Sequence, residues 1–137
     1  MSQESIVKFQ DPRTILYIED DPEMIDLVSM ILSRRGFEVK GVHGGQDGLE
    51  FIHRDKPDLI LLDLMMPDVD GWDLFRQVKS SDDLCDIPII IITAKAQVID
   101  RVLGLQIARA NDYICKPFHP QELLDSVEKV LGPNPVE

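Results

Sequence analysis

PDLILLD, residues 57–63, opens on a turn-forming proline, runs through Leu59, Ile60, Leu61 and Leu62, and stops at the carboxylate of Asp63. A strand with one wet face would alternate apolar and polar residues. An unbroken apolar run of this length marks a strand covered on both faces, as in a parallel sheet with helices above and below. The pattern returns in PIIIIT, residues 88–93, where four isoleucines lead to Thr93. Each run ends on a residue able to do chemistry.

Upstream, TILYI (14–18) reads as a third buried strand, followed by Glu19 and Asp20. Asp21 then Pro22 is a helix start, a carboxylate N-cap with proline at the first helical position. Met24, Leu27, Val28, Ile31 and Leu32 recur at helical spacing before Gly36, where a C-terminal glycine is favoured. Phe37 to Val42 forms another strand, Gly44 and Gly45 a turn, and a helix runs from about Gln46 to His53. Downstream, the loop from Met65 to Gly71 leads to a helix carrying Trp72, Leu74, Phe75 and Val78. A helix near Val98 to Leu105 follows Thr93 and Ala94. Asp112 to Cys115 is the last strand, and a helix from Pro120 carries Leu123, Leu124, Val127, Val130 and Leu131 to a stop at Gly132 and Pro133.

Five strands alternating with five helices predict an α/β fold, a flavodoxin-like doubly wound parallel sheet in the order 2-1-3-4-5. The domain spans 14–131, between an N-terminal extension (1–13) and a short tail (132–137). No second domain is visible, so a stand-alone module that passes its output to another protein is expected.

Twenty-five acids against 14 Lys plus Arg give a formal net charge of -11, which opposes direct binding to nucleic acid or an anionic membrane. Cys85 and Cys115 lack the spacing of a zinc site and read as buried thiols. The N-terminus has no apolar signal core, and the longest apolar run is too short to span a bilayer, so a cytoplasmic location is expected.

In a sheet of this kind ligands bind beyond the carboxyl ends of the strands. Those ends carry Glu19, Asp20, Asp63, Thr93, Ala94 and Lys116, which should converge on one pocket. Like charges at ~4 Å cost about 4 kcal/mol per pair at an effective dielectric near 20, so three clustered carboxylates call for a cation. An all-oxygen set suits Mg²⁺, while His43, His53 and His119 fall away from the pocket. Beside a metal, Asp63 can attack phosphorus as a carboxylate nucleophile. Lys116, the Thr93 hydroxyl and backbone N–H groups near Met65 and Ala94 would neutralise phosphoryl oxygens.

ILYIEDD, DLILLDLMMPDVDG, PIIIITA and DYICKPF, in that order on those strand ends, resemble the response-regulator receiver family of two-component and phosphorelay systems. The resemblance covers about Thr14 to Leu131. It implies a phosphoprotein, not a turnover enzyme, that accepts a phosphoryl group on Asp63 with Mg²⁺. Glu19, Asp20, Asp63 and the Met65 carbonyl would form the metal site, and Thr93, Ala94, Met65 and Lys116 the phosphate contacts. It further implies a cis peptide before Pro117, and Thr93 with Tyr113 as the switch pair. The donor would be a histidine kinase or a histidine phosphotransfer domain, the output a downstream effector protein, and the face of helix 4, strand 5 and helix 5 a dimerisation surface.

Two features depart from the family pattern. Gly104 to Asn111 is one residue longer than usual, and Ile107, Ala108, Arg109 and Ala110 stand where small residues are typical. Met65 and Lys95, two residues after Asp63 and Thr93, occupy positions that influence hydrolysis of the acyl phosphate, and an apolar guard at Met65 points to slow loss. Two rival readings remain. A haloacid-dehalogenase-type phosphohydrolase also uses an aspartate nucleophile, but needs an acid where Met65 stands. A pseudo-receiver would keep the fold without phosphorylation.

Overall fold

The computed structural model describes residues 13–94 and 98–132. Most of the N-terminal extension, the end of the tail and Lys95 lie outside the described residues. The elements alternate as β1 (Thr14–Ile18), α1 (Pro22–Ser33), β2 (Glu38–Val42), α2 (Gly45–Asp55), β3 (Leu59–Leu62), α3 (Gly71–Ser80), β4 (Ile89–Thr93), α4 (Val98–Val102, continued by a π turn over Leu103–Ile107), β5 (Asp112–Cys115) and α5 (Pro120–Leu131). The strands form one sheet in the order β2-β1-β3-β4-β5. Every pairing is parallel, so all strand ends that carry polar residues emerge at the same edge.

Successive side chains of a strand face opposite sides of the sheet, and both sides are filled. Leu16, Ile18, Ile60, Leu62, Ile89 and Ile91 pack with Ile52 of α2 and with Leu74, Phe75 and Val78 of α3. Ile15, Tyr17, Leu59, Leu61, Ile90 and Ile92 pack with Val28, Ile31 and Leu32 of α1 and with Leu123, Leu124 and Val127 of α5. Each such residue, fully buried, stabilises the fold by about 1.5–3 kcal/mol relative to exposure. This two-sided burial is why β3 and β4 are apolar without alternation.

Local signals set the helix ends. The Asp21 carboxylate accepts from the Glu23 N–H at 3.0 Å, with Pro22 in the first turn of α1, and Gly36 takes a φ of 85° just beyond it. Asp70 caps α3 by accepting from the Trp72 N–H at 2.9 Å. A Cβ on Gly71 would lie 2.5 Å from the Leu64 Cα and 2.9 Å from the Asp63 carbonyl oxygen. Only glycine lets α3 begin this close to the exit of β3.

The structure differs from the sequence reading in α4, expected as an α-helix to about Leu105. The α-helix ends at Val102, and the next five residues form a π turn. The Ala108 N–H donates to the Leu103 carbonyl at 2.8 Å, the Ala110 N–H to the Gly104 carbonyl at 2.8 Å, and Arg109 takes a φ of 65°. Each π turn takes in one more residue than an α turn, and this one lies within the segment that the sequence reading marked as unusual. Cys85 and Cys115 are half-buried free thiols, not buried ones. Cys85 lies in the surface turns after α3, and Cys115 ends the edge strand β5.

Candidate functional site

At the carboxyl edge of the sheet the ladder continues past the last apolar residue of each strand. The Glu19 N–H donates to the Val42 carbonyl at 3.0 Å, the Asp63 N–H to the Ile18 carbonyl at 3.1 Å, and the Lys116 N–H to the Thr93 carbonyl at 2.9 Å. Residues far apart in sequence are thereby held side by side. Carboxylate oxygens of Glu19, Asp20 and Asp63 lie within 4.8 Å of one another. Glu19 and Asp63 are 1% and 4% exposed, Thr93 is fully buried, and Asp20 is exposed.

Lys116 reaches into this cluster. Its Nζ donates to Glu19 Oε1 at 2.5 Å and to Asp63 Oδ2 at 3.1 Å. The peptide that aims it, Lys116-Pro117, is cis. Burial pulls the Lys116 ammonium towards neutrality, but its bond to Glu19 and the Asp63 charge outweigh that and raise its pKa. Burial holds Glu19 above its ordinary range; the Lys116 hydrogen bond opposes that shift and the Asp63 charge adds to it. Asp63 Oδ1 accepts from the Met65 N–H at 3.0 Å, which leaves the loop after β3 folded back over the nucleophile candidate.

Three carboxylates against one ammonium leave two negative charges over, the charge of a divalent cation. Their donors are all oxygen, and octahedral Mg²⁺ at ~2.1 Å brings ligand oxygens about 3–4 Å apart, a small contraction of the spacing present. The exposure of Asp20 keeps one side open to water. Glu19, Asp20 and Asp63 can therefore hold a metal ion. A cleft of about 610 Å³ opens beside them, lined by Asp20, Met65, Met66, Pro67, Asp70 and Trp72 among others.

Of the remaining residues singled out in the sequence, Met65 lines this cleft. Ala94 is exposed at the end of β4, and Met65, 56% exposed, pairs with Asp70 in an isolated antiparallel bridge. Tyr113 is buried on β5, opposite Ile91 in register. Arg101 of α4 donates to its carbonyl at 2.8 Å and stands 5.7 Å over its ring. The ring rests on Gly104, where a Cβ would come within 2.6 Å of it. Sequence reading missed Tyr17, whose hydroxyl donates to Glu19 Oε1 at 2.9 Å. The available signal was its position two residues before Glu19, on the same face of the strand.

Residues 15–128 match the model of the response regulator receiver domain. The chain is 41% identical over 119 residues to the transcriptional regulatory protein GltR of Pseudomonas aeruginosa, covering 87% of this chain and 49% of that protein. It is equally identical, over 117 residues, to the transcriptional regulatory protein BaeR of Escherichia coli, covering 85% of this chain and 47% of that protein. The chain thus spans about half the length of these curated relatives. Among solved structures, the BeF3-activated N-terminal receiver domain of Klebsiella pneumoniae RstA superposes with a TM-score of 0.79 at 34% identity, over 87% of this chain and 98% of that one.

Proposed function

This chain belongs to the response regulator receiver domain family, a signalling module and not a turnover enzyme, and on that premise we propose that Asp63 is its phosphoacceptor. The observation that carries the reading is the meeting of Glu19, Asp20 and Asp63 with Lys116 at one edge of the sheet. In the proposed reaction an Asp63 oxygen attacks the phosphorus of a phosphohistidine. The bond from phosphorus to the imidazole nitrogen breaks, its electron pair stays on the imidazole, and an acyl phosphate forms. Lys116 and the Thr93 hydroxyl stabilise charge on the phosphoryl oxygens, with backbone N–H groups near Met65 and Ala94 as further donors.

Mg²⁺, held by Glu19, Asp20, Asp63 and the Met65 carbonyl, would neutralise phosphoryl charge. The donor is a histidine kinase or a histidine phosphotransfer domain. The output is a surface change read by an effector protein, with the face of α4, β5 and α5 as the dimerisation surface. Phosphorylation adds about -1.5 to -2 charges, and the Thr93 and Tyr113 pair would pass that change to α4. None of the helices is long and apolar enough to cross a membrane among the described residues, and the proposed location is the cytoplasm, where such donors present phosphohistidine. Met65 beside the acyl phosphate favours slow hydrolysis.

Incubation with acetyl phosphate and Mg²⁺, followed by intact-mass measurement, tests this. The wild type should gain one phosphoryl group, while Asp63→Asn, or wild type with EDTA, should gain none. A folded wild type that gains no mass would move the chain to the pseudo-receiver reading.

A further inference from the structure

Tyr17 sits in the middle of β1, fully buried, with Gly41 of β2 and Leu61 of β3 beside it in register. Its ring belongs to the apolar layer under α1 and α5. A phenylalanine would fill that place without a hydroxyl to desolvate, and a buried hydroxyl costs stability unless it is bonded. The Tyr17 hydroxyl spends its bond on a carboxylate of the pocket, at 2.9 Å from Glu19 Oε1.

Among the described residues Glu19 has three donors: Tyr17, the Asp21 N–H at 3.1 Å on Oε2, and Lys116. Lys116 divides its bonds between Glu19 and Asp63, and the Asp21 N–H holds the other oxygen, Oε2. The phenol is the donor fixed by the core. We infer that Tyr17 is a positioning residue for the metal site, holding Glu19 Oε1 in place at the rim so that the pocket is preorganised for a divalent cation.

A carboxylate at 1% exposure is held in its orientation mainly by its hydrogen bonds, and a bond to a carboxylate is among the stronger ones in a protein. With the phenol hydroxyl gone, Glu19 Oε1 loses the donor that the core anchors, and the carboxylate is freer to turn away from the rim. Cation affinity should then fall. The inference rests on the metal-dependent reading above, so its test must separate the two.

Mg²⁺ binding is to be measured by calorimetry on wild type, Tyr17→Phe, Glu19→Gln and the double variant. Tyr17→Phe should weaken Mg²⁺ binding roughly three- to tenfold, a part of the strength of one bond to a carboxylate. In the Glu19→Gln background the same change should do nothing, since its effect runs through the carboxylate. If Tyr17→Phe binds Mg²⁺ as wild type does, or weakens it equally in both backgrounds, the inference is overturned and the metal site stands. If wild type binds no Mg²⁺, the metal-dependent reading falls first and this inference with it. Should Glu19→Gln bind too weakly to titrate, urea midpoints of the four metal-free proteins decide. Non-additive midpoints support the positioning role, and additive ones overturn it.

Discussion

Replacing Lys116 by alanine removes the ammonium that lies between Glu19 and Asp63 and leaves two buried carboxylates facing each other. At their outer separation of 4.8 Å the repulsion is about 3.5 kcal/mol at an effective dielectric near 20. Breaking one side of a buried ion pair costs about 3–5 kcal/mol in general, so the two approaches agree. Lys116→Ala should therefore lose about 3–5 kcal/mol of unfolding free energy at pH 7, read by urea denaturation.

The loss carries a signature in pH. Glu19 already titrates above its ordinary 4.5 in the folded protein, and without Lys116 it rises further. A carboxylate with a raised folded pKa binds protons more readily folded than unfolded. Stability is then gained as pH falls through the folded pKa and is complete below the unfolded value. Lys116→Ala should consequently recover stability relative to wild type between pH 7 and pH 4.5, and Mg²⁺ should stabilise it more than it stabilises wild type. A variant whose deficit is the same at both pH values and unaffected by Mg²⁺ would refute the claim that Lys116 offsets carboxylate repulsion.

Three further outcomes follow from other contacts. Gly71→Ala places a Cβ 2.5 Å from the Leu64 Cα, a backbone atom that cannot swing aside; we expect about 1–3 kcal/mol of destabilisation and slower phosphorylation by acetyl phosphate, measured by denaturation and mass. Gly104→Ala meets the Tyr113 ring instead, within 2.6 Å; the tyrosine signal in near-ultraviolet circular dichroism should change while Mg²⁺ binding does not. Burial pushes the Asp112 carboxyl up, but the Ser126 hydroxyl, the Tyr113 N–H and Lys129 outweigh it and hold it below its ordinary 3.8. Asp112→Asn should cost about 1–2 kcal/mol at pH 7, and that deficit should vanish as pH falls below 3.8, through the depressed folded pKa where the wild-type carboxylate is protonated.

The framework of this molecule was legible because its central strands obey a simple rule. Leu59–Leu62 and Ile89–Thr93 are buried on both faces, and only helices on both sides of a parallel sheet produce that. The convergence of the candidate residues was legible for a related reason: Glu19, Asp63, Thr93 and Lys116 interrupt apolar runs at strand ends, and parallel pairing gathers strand ends at one edge. Tyr17 was overlooked because its ring satisfies the core pattern, and its place two residues before Glu19 does not by itself tell where a buried hydroxyl points. The π turn at Leu103–Ile107 was hidden too. Periodicity over so few residues does not separate a wider helical turn from an ordinary one. The half-burial of Cys115 depends on β5 being an edge strand, a property of the assembled sheet.

The central claim is that the Asp63 carboxylate itself becomes the phosphorylated atom group. Acyl phosphates are reduced by borohydride to the alcohol, which marks the acceptor permanently. After phosphorylation with acetyl phosphate and Mg²⁺, reduction and peptide mass mapping should place the alcohol at residue 63 of wild type and nowhere in Asp63→Asn. A label on Asp20 or Glu19, or an unchanged label in the variant, would contradict the account.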